Sequence, residues 1–383
     1  MHQAAGQVAL LRRFLSEFPS GACFSITQLN WLVSKKNSKN PPCVRSNTRL
    51  WYPPMRGSRL KLDNMIWAGA FFLTVFFYLP FLFFKFKLAA PKKIFLPSHD
   101  AFSIILTVLL SHLLKLPYVI CHMDDAWDSL EGVCMIERNI TRWFIRPLMK
   151  GADQVFVIND YMKERYEQRY SRKIDLLYPP LDVSQYQKAA RYPLRKSKNE
   201  FCILYTGSIY SAQLDTLENL SKALMLLNDK EFVCHICGDN AFFQDRVKQN
   251  GSARFFRFHH LAQEETIGAQ KCADLLFLGL AFHSKIQNVI NTAFPAKLVE
   301  YLNSGCPILA CVPQHSFVSF YVQKYELGYV LHDASPESLA ETLLKIREGK
   351  IDFSRCIQNG KKTAMDHHDH RRQSARLWQS LAK

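Results

Sequence analysis

The stretch NTAFPAKLVEYLNSGCPILA, residues 291–310, decides the fold of this chain. Apolar residues repeat at i, i+3 and i+4 from Leu298 onward, which predicts a short helix with one apolar face. Pro295 suits the first helical position, where its missing N–H costs no hydrogen bond, and Gly305 suits the end of the helix. The apolar run after Gly305 is typical of a buried strand, so the stretch predicts a loop, a helix and a strand.

The start of this helix predicts an anion-binding site. The first N–H groups of a helix have no partner within it, and the helix dipole adds partial positive charge there. Lys297 lies in the same turn, and Glu300 follows three residues later, where a carboxylate can accept two hydrogen bonds from a vicinal diol such as ribose. The alternative is an ordinary amphipathic helix with a Lys–Glu surface pair, which contributes about 0.2–0.5 kcal/mol.

The motif FPAKLVEY (294–301), followed by SGCPILA (304–310), resembles the donor-site signature of family 4-like glycosyltransferases with the GT-B fold. The resemblance implies that Glu300 binds the ribose of a nucleotide-sugar. Family members often carry a second glutamate eight positions earlier, where this chain has Thr292. The resemblance also implies donor contacts from the rest of the signature: Phe294, Pro295, Ala296, Lys297 and Leu298.

The resemblance further implies an α/β fold of two Rossmann-like domains facing across a cleft, and sugar transfer with retention of anomeric configuration. The leaving phosphate itself would help to deprotonate the acceptor, and Lys297 would neutralise the charge that develops on it. No metal and no cofactor are expected, because the nucleotide-sugar is a co-substrate. The chain has no Asp-x-Asp of the kind that binds a metal-diphosphate, and the histidine-rich run 367–370 is predicted to be solvated rather than metal-binding.

Composition and charge limit the possible partners. The chain has 383 residues, 48% of them hydrophobic, enough for two domains with cores of their own. Its eleven cysteines follow no regular spacing, which favours reduced thiols in the cytoplasm over disulfides. The formal charge of +16 calls for an acidic partner. Twelve Lys or Arg residues flank an apolar segment between Lys35 and Lys93 without a nucleic-acid motif, which favours an anionic membrane surface.

The apolar segment 65–84 has two interpretations. It contains 20 residues without charge, which is long enough to cross a bilayer. A spanning segment would place the glycine loop at Gly6 across the membrane from the rest of its own domain. A helix that packs in the domain or lies in the membrane interface, at the inner face of the membrane, is therefore preferred over a single transmembrane segment.

The N-terminal half shows the alternation of a parallel sheet. The helical stripe of residues 6–18 and the strand from Ala22 resemble the family's first glycine loop, helix and strand, but the strand before the loop is missing because the chain begins at Met1. Residues 35–61 are predicted to be loop. From Lys93 onward strands and helices alternate, and ligands bind at the carboxyl ends of such strands. The candidates there are His99, His122, Asp124, Asp125 and Asn159.

His122 matches in placement a family histidine near the donor sugar, so it could position the sugar or move a proton, while a core histidine is the alternative. The other candidates, with Gly6, are assigned to the acceptor side. Residues 191–199 are predicted to be an interdomain linker, which divides the chain into an N-terminal acceptor domain (1–190), a donor domain (200–358) and a C-terminal helix (359–383) returning to the first domain. Gly207, Ser208 and Gly238 follow strands of the donor domain directly, so their backbone can approach a diphosphate.

These observations predict a retaining glycosyltransferase that moves a sugar from a nucleotide-sugar to a glycan or lipid-linked acceptor in surface polysaccharide biosynthesis. Three alternatives remain open at this stage. The chain could be a degenerate GT-B protein that binds nucleotides without turnover, or a nucleotide-sugar epimerase of the same architecture. It could also be a transmembrane protein with an unrelated cytosolic domain.

Overall fold

The computed structural model describes residues 10–30, 42–52, 61–98, 101–123, 125, 135–195, 197–284 and 286–382. They form two compact units. The N-terminal unit comprises residues 7–178 together with 370–383, and the C-terminal unit comprises residues 179–369. The chain passes between the units after Tyr178 and again after Asp369, so the last helix groups with the N-terminal unit.

The N-terminal unit contains a four-stranded parallel sheet in the order β3-β4-β5-β6 and a separate parallel pair, β1 and β2. Residues 10–14 are helical. The elements in chain order are β1 (Cys23–Asn30), β2 (Val44–Tyr52), α1 (Lys61–Ala89), β3 (Ile94–Ser98), α2 (Ala101–Leu114), β4 (Tyr118–His122), α3 (Met135–Gly151), β5 (Gln154–Val157), α4 (Asp160–Tyr170) and β6 (Asp175–Leu176).

The C-terminal unit is built on a six-stranded parallel sheet in the order β12-β11-β10-β7-β8-β9. Its elements are α5 (Val183–Lys188), β7 (Phe201–Thr206), α6 (Leu214–Leu227), β8 (Phe232–Cys237), α7 (Ala241–Gln249), β9 (Phe256–His259), α8 (Gln263–Gln270), β10 (Leu275–Gly279), α9 (Gln287–Thr292), α10 (Ala296–Leu302), β11 (Ile308–Cys311), α11 (Phe317–Lys324), β12 (Tyr329–Leu331), α12 (Pro336–Arg347) and α13 (Ser354–His368), after which α14 (His370–Ala382) returns to the N-terminal unit.

The α/β class predicted from the alternating pattern is confirmed. The strands of the C-terminal unit read as continuous apolar runs, and β8 and β10 are buried along their whole length. Such runs are typical of parallel strands covered by helices on both faces. The core on one face joins Ile203, Ile236 and Leu275 of the sheet to Leu217 and Leu220 of α6.

The predicted loop at 35–61 is wrong over part of its length. Residues 44–52 form strand β2, which pairs in parallel with β1 in a register that sets Cys23 opposite Val44 and Asn30 opposite Tyr52. The sequence of β2 shows no clean alternation of apolar and polar residues. A partner strand about twenty residues away supplies its hydrogen bonds, and a local pattern carries no information on such a partner.

The apolar segment at 65–84, which contains Pro80, belongs to a longer helix, α1, which also includes the basic residues Lys85 and Lys87. Within the described residues, one helix is long and apolar enough to cross a membrane, over Phe72–Ala89, and little of that window is buried. Helix α1 packs against α2 along one side, where Val75 and Leu82 are buried. The helix is therefore neither a core element nor an isolated segment.

Candidate functional site

Two glycine turns meet at the carboxyl ends of the neighbouring strands β7 and β8. Gly207 has φ +96° and Gly238 has φ +137°, conformations that side-chain-bearing residues rarely adopt. The Gly207 N–H donates to the Cys237 carbonyl (2.8 Å), and a Cβ added at Gly238 would lie 3.0 Å from the Gly207 oxygen. Glycine at these positions leaves the backbone of both turns open to a close approach by a ligand.

Asn240 holds the two turns together, although it was not among the predicted site residues. Its side-chain amide donates to the Gly207 carbonyl (3.0 Å), and its side-chain oxygen accepts from the Ile209 N–H (2.7 Å). The residue is buried. Its position just after the glycine turn of β8 was the only available signal, because an asparagine there is equally typical of an ordinary turn.

Lys297 reaches this turn from α10. An ideal Cβ at Gly207 would lie 3.6 Å from both Cε and Nζ of Lys297, so the end of the side chain lies directly behind Gly207. Nζ also lies 3.6 Å from the centroid of the Tyr205 ring, a cation–π contact. The residue as a whole is half-buried, but Nζ itself is sealed from solvent and has no hydrogen-bond partner among the described residues.

Burial disfavours the charged form of Lys297. Burial lowers the pKa of Lys297 from 10.5 to about 7, and the nearby Glu300 carboxylate partly opposes this effect. A buried Lys ammonium without a hydrogen-bonded partner costs free energy unless a ligand supplies the missing charge. An anion in front of Gly207 would do so, because it would meet both a preformed positive charge and an open backbone.

The frame around Lys297 is fixed by two tyrosines. The Tyr205 hydroxyl donates to the Ser208 carbonyl (3.0 Å), which holds the ring beneath the ammonium. The Tyr301 hydroxyl accepts from the Thr206 N–H (3.0 Å) and joins α10 to the end of β7. The apolar repeat predicted Tyr301 as part of an apolar helix face, and Tyr205 was not among the predicted site residues. An aromatic residue two positions before a glycine turn was the signal for Tyr205.

Helix α10 differs slightly from its predicted form. Pro295 is the N-cap with extended backbone, so the helix begins at Ala296 rather than at the proline. The helix ends at Leu302, and Gly305 (φ +82°) lies in the turn before β11 rather than at the helix end. The Leu298 side chain is fully buried and its N–H bonds to the Pro295 carbonyl, so Leu298 anchors the helix.

Phe294 and Thr292, which lie at the start of the stretch 291–310, both make structural contacts. Phe294 is buried among Phe317, Tyr321 and His368, with ring centroids 4.9–5.4 Å away. The Thr292 hydroxyl donates to the Asn288 carbonyl one turn back in α9 (3.0 Å). The structure therefore brings together Gly207, Gly238, Lys297 and Glu300, while Phe294 packs in an aromatic cluster.

The predicted residues of the N-terminal unit have structural contacts of their own. His122 is fully buried, 3.2 Å from the Met149 sulfur and edge-on to the Tyr166 ring, and burial lowers its pKa to about 3. Asp125 is buried and pairs with Arg165 (2.5 Å) while it accepts from the Tyr166 hydroxyl. Asn159 caps α4 by accepting from the Met162 N–H. Gly6, His99 and Asp124 lie outside the described residues.

The prediction that residues 367–370 are solvated is wrong. His368 is fully buried: its Nδ1 donates to the Pro179 carbonyl (2.8 Å), so its Nε2 accepts from the Tyr321 hydroxyl (2.9 Å). His370 lies 3.2 Å from the Glu17 carboxylate. The described residues contain no cluster of three or more His, Cys, Asp or Glu that could hold a metal ion. His368 therefore joins the end of the C-terminal unit to its start at Pro179.

Solved structures similar to this chain identify the fold class. Anabaena HepE in complex with UDP covers the whole chain at 11% identity with a TM-score of 0.63, and 97% of HepE is covered. Sucrose-phosphate synthase from Thermosynechococcus elongatus has a TM-score of 0.63 at 14% identity, covering 94% of this chain and 87% of that one. A glycosyltransferase from Rickettsia africae has a TM-score of 0.61 at 12% identity, covering 94% and 97%. The two parallel sheets are those of a GT-B glycosyltransferase fold.

The sequence of the C-terminal unit is similar to that of a known family. Residues 187–363 match the model of the family described as Glycosyl transferases group 1, and these residues include both glycine turns, Lys297 and Glu300. The match lies within the C-terminal unit, which is therefore similar in sequence to the glycosyltransferases of this family. No curated protein is significantly similar to the chain in sequence.

Proposed function

We propose that this protein transfers a sugar from a nucleoside-diphosphate sugar to an acceptor hydroxyl with retention of configuration. The buried Lys297 ammonium behind Gly207 carries the proposal. In the transfer, the bond between the anomeric carbon and the diphosphate oxygen breaks, and its electron pair stays on the diphosphate. Lys297 stabilises that charge, because a preorganised positive group in a dry site acts most strongly where charge develops. The acceptor proton passes to the leaving phosphate as the new bond forms on the same face.

The donor we propose is a UDP-sugar, and a UDP-hexose is the first to test. HepE was solved with UDP and also with UDP-glucose. The features that hold a diphosphate, which are two open glycine turns and a buried ammonium, are independent of the base. Glu300 is half-buried, one helical turn beyond Lys297, where a carboxylate can accept from both ribose hydroxyls.

For the acceptor we propose a glycan or a lipid-linked sugar in surface polysaccharide biosynthesis, with the enzyme held at the inner face of the membrane. The exposed aromatic side chains of α1 support this location, because a soluble domain rarely displays so many in one place. A lipid-linked acceptor would be met at that surface.

The direct test of the proposed donor is a thermal-shift panel of UDP, GDP, CMP and dTDP. We expect UDP to raise the melting temperature, since a ligand at 100 times its dissociation constant adds about 2.7 kcal/mol to the stability of the folded state. Release of UDP from UDP-glucose in the presence of an acceptor extract then measures turnover. No shift with any nucleotide would contradict the proposal.

A degenerate binding protein is the second candidate, and one observation favours it. Thr292 occupies the place of the second family glutamate, and its hydroxyl donates a hydrogen bond to the Asn288 carbonyl in the same helix. Nucleotide binding without sugar transfer or donor hydrolysis would support this candidate. An epimerase would instead change the sugar of the donor when no acceptor is present.

The pKa of Lys297 predicts that donor binding takes up a proton. The free site has a lowered pKa of about 7, and a bound diphosphate raises it, so above pH 7 Lys297 must gain a proton when UDP binds. UDP affinity should therefore fall by up to about tenfold per pH unit above pH 7. Calorimetry at pH 8 in buffers of different ionisation enthalpy should show uptake approaching one proton, and at pH 6 almost none. Equal uptake in the Lys297→Met variant would contradict this origin.

A further inference from the structure

Helix α1 has two apolar faces, and only one of them is covered. On the covered face, Val75 and Leu82 are buried against Phe102 and Leu106 of α2. On the other face a row of large apolar side chains is exposed. Phe76 and Phe77 are each 71% exposed and Leu88 is 90% exposed. The full row is Phe72, Leu73, Phe76, Phe77, Phe81, Phe84 and Leu88.

The spacing of this row makes it one continuous stripe. Phe72, Phe76, Phe84 and Leu88 are separated by multiples of four residues, so the row turns by about 40° at each step of four and winds along the exposed half of the helix, away from Val75 and Leu82. The stripe spans 17 residues and about 25 Å at a rise of 1.5 Å per residue. Monomeric proteins rarely expose contiguous apolar surface on this scale without a partner.

Basic residues border the stripe at its carboxyl end. Lys87 and Lys92 are exposed, and the half-buried Lys85 holds its ammonium 5.9 Å from the centroid of the Phe81 ring. Lysines in such positions can lay their apolar stems along an apolar surface while their charges stay in the polar layer. The pattern combines an apolar stripe with positive charge at the edge.

Helix α3 also exposes a large aromatic side chain beside basic residues. Trp143 is 82% exposed, and Arg142, Arg146 and Lys150 are exposed and follow one another at intervals of four residues, which places them on one side of the helix. Tryptophan is enriched where a protein meets the polar layer of a bilayer, since its ring is amphipathic. Helix α3 packs against α2, which in turn packs against α1.

We infer that the exposed stripe of α1 and the Trp143 face of α3 form a docking surface for an anionic bilayer, on which α1 lies in the interface without crossing it. One side of α1 is occupied by the core of its own unit, and a spanning helix would have to leave that core. The basic residues favour anionic lipid over a second copy of the chain, because two copies of this basic face would repel each other. This surface extends the proposed inner-face location and contains no residue of the donor site.

Vesicle flotation of the full chain tests the docking surface. The wild-type protein should float with vesicles of phosphatidylcholine and phosphatidylglycerol, and weakly with phosphatidylcholine alone. Phe76→Ser combined with Phe77→Ser should abolish flotation, whereas the matched control Leu226→Ser combined with Met365→Ser, also at exposed positions, should leave it unchanged. A UDP-induced thermal shift in each variant shows that the fold and the donor site are intact. A loss of vesicle binding can then be told apart from a loss of donor binding.

The charge contribution is tested with Arg142→Gln combined with Arg146→Gln. Each basic residue near an anionic surface contributes about 1 kcal/mol, so this pair should weaken binding to anionic vesicles by about tenfold to thirtyfold and leave binding to neutral vesicles unchanged. Raising the salt from 0.1 to 1 M should shrink the difference, because the Debye length falls from about 10 to about 3 Å.

Three results would overturn the inference. If Phe76→Ser with Phe77→Ser left vesicle binding unchanged, the stripe would not be the docking surface. If the wild-type protein bound no vesicles and the same pair of substitutions converted a dimer in solution to a monomer, the stripe would be an interface between proteins. If the membrane-bound protein resisted extraction with alkaline carbonate, α1 would span the bilayer.

Discussion

Replacing Lys297 with methionine is expected to stabilise the free protein and at the same time to weaken UDP binding by about 30- to 1,000-fold. Methionine fills similar space beside the Tyr205 ring without placing a charge where water cannot reach it. Removing an uncompensated buried charge should add about 1–4 kcal/mol to the free energy of unfolding. Removing the partner of a desolvated diphosphate should cost about 2–4 kcal/mol of binding.

The stabilisation has a predicted pH dependence. The folded-state pKa of Lys297, about 7, lies below the unfolded value of 10.5, so the unfolded chain binds more protons between these two values. The stability of the wild-type protein attributable to Lys297 therefore rises with pH from about 7 to about 10. The advantage of Lys297→Met should be largest at or below pH 7 and should shrink as the pH approaches 10.

Denaturation at several pH values and calorimetry with UDP measure both effects. Lys230→Met is the matched control, because Lys230 is exposed in the same unit and should change neither quantity. A Lys297→Met protein that binds UDP as tightly as the wild type would remove the central support for the proposed donor site. A variant that loses stability as well as binding would show that the ammonium has a structural role.

Replacing Glu300 with alanine is expected to weaken UDP binding by about 100-fold or more and to abolish discrimination between ribose and dideoxyribose. The proposed carboxylate accepts from both ribose hydroxyls. Its removal should cost about 1.5–3 kcal/mol of UDP binding free energy for each of these charged hydrogen bonds. The wild-type protein should therefore bind UDP much more tightly than 2′,3′-dideoxy-UDP. The Glu300→Ala variant should bind the two about equally.

The same variant should alter the titration of Lys297. The Glu300 carboxylate raises the pKa of Lys297 against the effect of burial, so its removal should lower that pKa further. Proton uptake on UDP binding would then begin at a lower pH than in the wild type. Glu264→Ala is the control, since Glu264 is an exposed glutamate of α8. Preserved discrimination against the dideoxy analogue in Glu300→Ala would mean that another group holds the ribose.

The two units differ in what they can contribute to the proposed transfer. The C-terminal unit contains the positive charge, the open glycine turns and the carboxylate at one edge of its sheet. His122, the candidate proton carrier of the N-terminal unit, is enclosed next to Met149 and Tyr166 with a lowered pKa of about 3, which keeps it neutral near pH 7. In this conformation its ring cannot reach a substrate.

The sequence by itself determined the elements and their order. The strands and helices that were predicted to alternate from Lys93 onward are present, because the apolar repeat and the turn residues that specify them are local. The same holds for the signature stretch, where the spacing of Lys297 and Glu300 follows from one helical turn. The likeness of this stretch to a glycosyltransferase motif agrees with the family model that matches residues 187–363.

The tertiary structure alone decided which of these side chains are buried and what they face. Nothing near Lys297 in sequence indicates the Tyr205 ring beneath its ammonium, and nothing near His368 indicates the Pro179 carbonyl that its ring contacts. The exposed side of α1 is likewise set by the packing of α2, since the helix is apolar on all sides. Burial, and with it the pKa of an ionisable group, depends on atoms that come from distant parts of the chain, whereas helix and strand patterns depend on neighbours a few residues away.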